Sequence, residues 1–313
     1  NVRFWKESVM NLSTLWSLQG QLFLLLAVGA LIRKIHLIGE GAKATLTDLV
    51  LYVTLPCSIV LSFMMELDHS LFSRLLIVLI LSTGVQLFSF FLSKLHYRNV
   101  EESKRNVLRY GLLVSNSGFM GLPIAGLLFG PLGYVYASIY LIPHRVMMWS
   151  AGLALFGDRD QSLGERIKKV VLHPCMVAVY VGFFLMFTSI TLPSFITQTL
   201  ASLGNSTTAL SMLLIGSLFA EPGQNPFHTD RKLVHFTFLR LLVIPLVSFL
   251  VCRMIGLDSI ITGVVVILAA MPGGSTTVIL ASKYGSDTAY ASKLVVFSTM
   301  LSLLSIPLWG MVL

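Results

Sequence analysis

Charge is what this chain has least of. Asp, Glu, Lys and Arg together make up 12% of it, about half the share carried by a soluble domain, whereas hydrophobic residues reach 55% and the mean hydropathy is +0.83. That shortage excludes water as the main solvent. Cysteine is scarce as well: Cys57, Cys175 and Cys252 each stand alone inside an apolar segment, which fits small packing residues and gives neither a metal-ligand spacing nor a disulfide pair. The sequence contains no His-Glu-x-x-His, no nucleophile elbow and no Gly-rich phosphate loop, so it offers no catalytic residue, no metal site and no cofactor motif. The net charge of +8 comes from basic residues scattered between apolar segments, and a scattered charge of this kind argues against nucleic acid as a partner.

What is there is a succession of apolar windows, at roughly 16–37, 42–65, 71–95, 106–129 and 132–156, then 168–190, 196–220, 232–255, 259–282 and 288–313. Each holds the roughly 20 residues that a helix needs to cross the hydrocarbon layer. The expectation is an all-α membrane protein with ten transmembrane helices and short connections. Residues 1–15 precede the first window; residues 1–9 are polar and mixed, and Met10 reads as a natural start, so this stretch is set apart from the fold. The apolar run Leu22–Ile32 is followed by Arg33 and Lys34 rather than by a cleavage site, which marks a retained first span.

Lys and Arg accumulate at cytoplasmic connections. With the bordering span ends counted, seventeen basic residues fall at one set of alternate connections, among them Arg33, Lys34, Arg98, Lys104, Lys168 and Arg231. Only Arg3, Lys6, Arg74 and Arg253 fall at the other set. The asymmetry puts both termini outside an inner (plasma) membrane, here read as bacterial.

Two spans are broken near their midpoints. The fourth reads Asn116-Ser-Gly-Phe-Met-Gly-Leu-Pro-Ile124 and the ninth Ala269-Ala-Met-Pro-Gly-Gly-Ser-Thr-Thr277. Proline removes one helical hydrogen bond and clashes with the preceding turn, and in lipid the freed carbonyl needs another partner. Pro123 and Pro272 are 149 residues apart, on spans that run in opposite directions, which is the mark of an inverted repeat. The halves are then 16–156 and 168–313, each of five helices, joined by a short cytoplasmic linker at 157–167. The same offset carries Pro56 to Asn205, in another polar, helix-breaking stretch. Gly and Pro are common in membrane helices for packing alone, and that reading suits Pro56, Pro193, Pro245 and Pro307. At Asn116–Ile124 and Met271–Thr277, breaks at equivalent depths point instead to a site where backbone groups face a ligand, with half-helix N-termini that favour an anion.

At these residues the sequence resembles the auxin efflux carrier family, relatives of the plant PIN exporters, over nearly the whole chain. The resemblance rests on Leu55-Pro56, on Asn116–Ile124, on Pro272-Gly-Gly-Ser-Thr276 and on Tyr284-Gly-Ser-Asp287, followed by Ala291-Ser292, Ser298-Thr299 and Ile306-Pro307. It implies ten helices in two inverted five-helix repeats, with helices 4 and 9 crossing at their prolines beside the substrate. It also implies a scaffold of helices 1, 2, 6 and 7 and a moving core of helices 3–5 and 8–10. The short linker makes the chain more similar to compact bacterial members, for which small organic acids such as malate or malonate are the implied substrates.

Ionisable groups inside a span are functional hypotheses by default. Arg145 lies about 13 residues into the fifth span, roughly 16 Å from its inner end by helical rise. It is read either as the counter-charge of a carboxylate substrate or as a donor to carbonyls freed at a broken helix. His144 beside it is a hydrogen-bonded structural histidine or a proton carrier, and Arg240 and Lys293 are placed near the inner surface, where long side chains snorkel. The candidate substrate-binding set is Asn116, Ser117, Gly118, Gly121, Pro123, Tyr140, His144, Arg145, Met271, Pro272, Gly273, Gly274, Ser275 and Thr276.

No Asp or Glu occurs in 106–156 or 259–286, which argues against cation exchange and leaves proton or sodium coupling open. The expected function is therefore a secondary active transporter of small organic anions, carboxylates or auxin-like acids, working by alternating access and without a cofactor. Its partners are that anion and the lipid bilayer, and homodimerisation through the scaffold is left open. The alternative is a membrane sensor that keeps the carrier fold and binds a lipid or metabolite without moving it. The orientation has a direct check: in whole cells a cysteine introduced near Gly130 should react with an impermeant maleimide and one near Asp160 should not, and the reverse pattern would overturn it.

Overall fold

A computed structural model of the chain describes residues 12–37, 39–64, 69–156, 162–188, 190–219 and 230–313. The segment before residue 12 and the first part of the linker, 157–161, lie outside the described residues. The first half contains α1 (Leu12–Lys34), α2 (Glu40–Leu49), α3 (Leu55–Ser62), α4 (His69–Leu95), α5 (Glu102–Leu113), α6 (Leu122–Met147) and the short α7 (Leu153–Leu155). The second contains α8 (Leu163–Val171), α9 (Pro174–Thr188), α10 (Ser194–Phe219), α11 (Arg231–Phe238), α12 (Ile244–Ile255), α13 (Ser259–Ala269), α14 (Thr276–Lys283) and α15 (Thr288–Val312). Among the described residues there is no strand, as lipid requires of a chain that does not close into a barrel.

Five helical stretches among these are long and apolar enough to cross a membrane: Ala44–Ser62, Ser70–Leu95, Ser117–Gly152, Arg231–Ile255 and Thr288–Val312. Pro174–Thr188 and Ser259–Ala269 are shorter apolar helices. The windows at 106–129 and 132–156 meet in α6, which turns at Gly130, whose φ of +63° and ψ of −151° are open to glycine and closed to other residues. Pro131 then starts the second limb, and a Cβ on Gly133 would run into the Ala125 carbonyl oxygen, so the two limbs pack with backbone against backbone. The window at 168–190 is divided: its first residues belong to α8, and Pro174 starts α9, where its missing N–H leaves no bond unmade.

Helix starts in the second half are fixed by acids. Asp230 accepts from the Leu233 N–H at 2.8 Å, Asp258 from the Ile260 and Ile261 N–H groups at 3.0 Å, and Asp287 from the Tyr290 N–H at 2.8 Å. A few of the chain's scarce carboxylates are thus committed to helix N-termini, where they neutralise orphan donors and the macrodipole together.

Three prolines inside long helices are each preceded by a single wide, π-type turn: Val50–Thr54 before Pro56, Ser117–Gly121 before Pro123, and Leu239–Val243 before Pro245. Widening the turn makes room for the ring and shifts the ladder by one carbonyl. The Leu241 carbonyl, four residues before Pro245, accepts instead from the Trp309 indole N–H of α15 at 2.9 Å.

The helices pack in two groups. One consists of α1, α3, α9 and α10; the other of α4, α5, α6, α12, α13, α14 and α15, with α3 against α6 and α1 against α15 between them. Within the first group, Ser58 of α3 donates to the Gly204 carbonyl of α10 at 2.9 Å and lies 3.1 Å from the Thr207 hydroxyl. A Cβ on Gly29 of α1 would overlap the Leu213 carbonyl of α10, and one on Gly216 of α10 would overlap the Leu26 carbonyl of α1. Small residues therefore set this approach, as they do where helices associate in lipid. Gly29→Leu should destabilise the protein by about 1–3 kcal/mol, the cost of an overpacked core, read as a lowered thermal midpoint in detergent. Gly20→Leu on the same helix, with nothing within 4 Å, should be silent; equal losses would refute the packing argument.

Candidate functional site

The site forms where two helices are interrupted and the interruptions meet. The helices are interrupted at Val114–Asn116, between α5 and α6, where the chain is extended at Val114, and at Met271–Gly274, between α13 and α14. These stretches run antiparallel and exchange backbone bonds: the Asn116 N–H donates to the Pro272 carbonyl at 2.8 Å and the Gly274 N–H to the Val114 carbonyl at 3.0 Å. Gly274 permits this because a Cβ there would sit 3.1 Å from the Ser115 carbonyl oxygen. The first break therefore precedes Pro123 by seven to nine residues. Pro123 itself lies just after the π-type turn Ser117–Gly121, in a helix already under way; the second break does contain Pro272.

Several further backbone groups released by these breaks can be followed to a partner. The Ser115 N–H donates to His144 Nε2 at 3.1 Å. The Gly273 N–H donates to the Ser298 hydroxyl at 3.2 Å, and the Ser117 hydroxyl donates to the Leu268 carbonyl at 3.0 Å, replacing the N–H that Pro272 lacks. Three further carbonyls are taken by one side chain. Arg240, 2% exposed, donates from Nε to Met271 at 2.9 Å, from Nη1 to Leu112 at 3.1 Å and from Nη2 to Ala269 at 3.1 Å. The planar five-donor guanidinium suits three divergent acceptors as a point charge cannot. Arg240 does not snorkel to the inner surface; the π-type turn at Leu239–Val243 that carries it faces inward on the crossing.

Arg145 has the opposite surroundings. It is 5% exposed, and its hydrogen bond among the described residues is from Nη1 to the Met176 sulfur at 3.9 Å, a weak acceptor, with the Cys175 thiol also beside it. None of the freed carbonyls is its partner. Its free side faces a cavity of about 190 Å³. The polar wall of that cavity is Ser115, Asn116, His144, Arg145, His173, Ser275 and Thr276; Tyr110 and Trp149 stand among aliphatic side chains such as Leu51, Leu55 and Leu280. Among the described residues the Asn116 side-chain nitrogen is buried with no hydrogen-bond partner, a costly state inside a protein. Thr276 accepts from the Tyr110 hydroxyl at 3.1 Å and begins α14, whose preceding residue Ser275 gives no side-chain cap.

Of the sequence-derived set, Asn116, Gly118, His144, Arg145, Gly274, Ser275 and Thr276 line the cavity. The others are placed around it. Ser117 bonds to Leu268, Gly121 packs against Met271, and Pro123 is buried in the first turn of α6. Met271, Pro272 and Gly273 use their backbone groups in the crossing, and Tyr140 is buried near the Arg240 guanidinium. His144 Nε2 accepts a backbone N–H, so that nitrogen carries no proton and the ring holds the break in shape. Sequence reading missed Tyr110, Trp149 and His173, aromatic groups far from the glycine-proline signal, and it misread Arg240.

Apolar helices broken where two of them meet, with a buried cation beside a cavity, are the parts of a membrane carrier. The chain matches the family described as Membrane transport protein over residues 20–165 and 162–310, and it belongs to that family, the one that contains the auxin efflux carriers. It is 29% identical over 293 residues to an uncharacterized transporter of Methanothermobacter thermautotrophicus, covering 92% of this chain and 95% of that one. It is 25% identical over 307 residues to an uncharacterized transporter of Methanocaldococcus jannaschii, covering 93% and 96%. The chain is an integral membrane transporter and not an enzyme.

The two arginines predict opposite outcomes. Arg240→Met strands three buried carbonyls and should cost about 3 kcal/mol or more at about 1–3 kcal/mol per unmet group, seen as a large drop in thermal midpoint. Arg145→Gln should leave the midpoint unchanged or raise it, since an uncompensated buried charge is removed. Equal losses at both positions would sink this division of roles.

Proposed function

We propose that this chain is a secondary carrier of small organic anions, carboxylates or auxin-like acids, that binds its substrate in the cavity at the crossing of the fourth and ninth spans. The observation that carries the reading is Arg145: a buried guanidinium on a cavity wall, with no carboxylate partner among the described residues, beside an unpartnered Asn116 amide nitrogen. A substrate carboxylate supplies the missing acceptor for both and forms charge-assisted bonds in a site that excludes most water. The N–H groups at the start of α14 add a weak preference for negative charge. The apolar wall then accommodates a small carbon skeleton.

The reading includes ten crossings in two inverted sets of five, broken in helices 4 and 9, with both termini outside. In that orientation the cavity lies on the basic, cytoplasmic side of the crossing. The helix group α1, α3, α9 and α10 corresponds to the scaffold and the other group to a moving core. Leu51, Leu55 and His173 line the cavity from the scaffold side, whereas Asn116, Arg145, Ser275 and Thr276 belong to the core. Rocking one group against the other alternates access while the substrate stays with its polar partners.

The decisive experiment is radiolabelled uptake into proteoliposomes over a panel of mono- and dicarboxylates, with and without imposed pH and sodium gradients. At least one small carboxylate should accumulate, and its uptake should respond to one of the gradients. Binding of anions without passage of any would favour a sensor. For the transported acid, Arg145→Gln should weaken binding at least tenfold; unchanged affinity would rule out the counter-charge role.

A further inference from the structure

A second basic pocket lies at the turn between α4 and α5 and the start of α11, which the proposed orientation puts at the inner ends of the helices. The turn between α4 and α5 and the first turns of α11 border an open surface depression of about 570 Å³, lined by Leu95, His96, Tyr97, Arg98, Asn99, Val100, Arg231, Lys232 and His235. Arg98, Arg231 and Lys232 are exposed. The nearby ion pairs, Lys104 with Glu101 and Arg105 with Glu102, use none of the three. The nearest carboxylate, Asp230, is occupied: it caps α11 and accepts from the Tyr290 hydroxyl at 3.0 Å. Further positive charge comes from Arg109, which lies close to Arg98 and Arg105.

The floor of this pocket is built rather than incidental. Tyr97 has φ +65°, a conformation that costs a residue with a Cβ about 1–2 kcal/mol and calls for a reason where it occurs. Its ring packs edge-on against His235 with centroids 5.9 Å apart, and the His96 and His235 rings lie 5.1 Å apart. His96 is anchored by its Nδ1, 2.9 Å from the Leu92 carbonyl. Directly beneath, on the same two helices, the exposed side chains turn apolar: Phe91 and Leu95 on α4, Val234 and Phe238 on α11, each pair four residues apart along its helix. Cations at one level and an exposed apolar stripe one to two turns below match a molecule with an anionic head and a hydrocarbon tail.

We propose that this pocket is a binding site for the phosphate headgroup of an anionic phospholipid, with Arg98, Arg231 and Lys232 around the phosphate and the acyl chains lying along Phe91, Leu95, Val234 and Phe238. Basic pockets at helix ends on the cytoplasmic side are where such headgroups bind. The site is separate from the transport cavity and shares no residue with it. A lipid held there ties the α4–α5 turn to the start of α11, both in the helix group that carries the crossing.

The test uses the full chain, delipidated in detergent, with thermal midpoint and native mass spectrometry as readouts. Dioleoyl phosphatidylglycerol should raise the midpoint and remain bound, whereas dioleoyl phosphatidylcholine should do neither at equal concentration. The triple variant R98Q/R231Q/K232Q should lose at least tenfold in apparent affinity for phosphatidylglycerol, with an unchanged midpoint when no lipid is added because the three side chains are exposed. Arg253→Gln, which removes one exposed charge at the other membrane face, should bind phosphatidylglycerol like the unmodified protein. The proposal is overturned if the triple variant retains affinity, if phosphatidylcholine matches phosphatidylglycerol, if Arg253→Gln loses as much as the triple variant, or if inorganic phosphate alone reproduces the shift.

Discussion

A helix in lipid can be interrupted only where something other than water takes up its backbone groups, and the crossing of two broken helices solves that problem by making each break the partner of the other. Asn116 and Gly274 donate across the gap to Pro272 and Val114, a two-bond antiparallel bridge with no further strand on either side. Two bonds do not cover all the groups released. Others are taken by Ser117, His144 and Ser298, and three carbonyls fall to Arg240. Remove that guanidinium and both breaks lose carbonyl partners. The position of Asn116, the start of α14 and the shape of the cavity wall all depend on it, although Arg240 does not itself line the cavity.

The same constraint acts on a smaller scale along the long helices. Each of three prolines sits just after a widened turn, so the helix bends without ending. Where the displaced carbonyl is traced, it has found a donor on a neighbouring helix: Leu241 bonds to Trp309. Proline thus has two meanings in this chain. At Pro272 it belongs to a true break, and at Pro56, Pro123 and Pro245 it marks a bend in a continuing helix.

That ambiguity explains what was legible in the sequence and what was not. Hydropathy alone located the apolar helices, because length and composition suffice for that. The second break was readable, since Pro-Gly-Gly leaves no helical alternative. The first was displaced toward Pro123, because a proline at a bend in a continuing helix and a proline inside a break look alike in sequence, whereas Val114-Ser115-Asn116 contains no breaker at all. Arg145 stood out by depth. Arg240 did not: nine residues from the start of α11 it counts as close to the surface, and which face of a bent helix it occupies is set by the turn at Leu239–Val243 and by its neighbours. The carbonyl contacts considered for Arg145 are thus made by Arg240, which sequence reading places near the surface.

The separation of those roles bears on how a carrier of this construction can move. A buried guanidinium saturated by carbonyls is a fixed point, because any displacement exposes acceptors that nothing else reaches. One facing a cavity with a thioether as its hydrogen-bond partner is free to exchange water for a ligand at little structural cost. In the proposed cycle both belong to the same helix group, so the saturated arginine keeps the crossing intact while the unsaturated one holds the anion. The walls past which that group must slide, carrying Leu51, Leu55 and His173, belong to the other group and meet the cavity mainly through apolar side chains. Apolar surfaces have no directional bonds to break when they slide, and the crossing has no reason to. The rigidity of the break is therefore what permits motion around it.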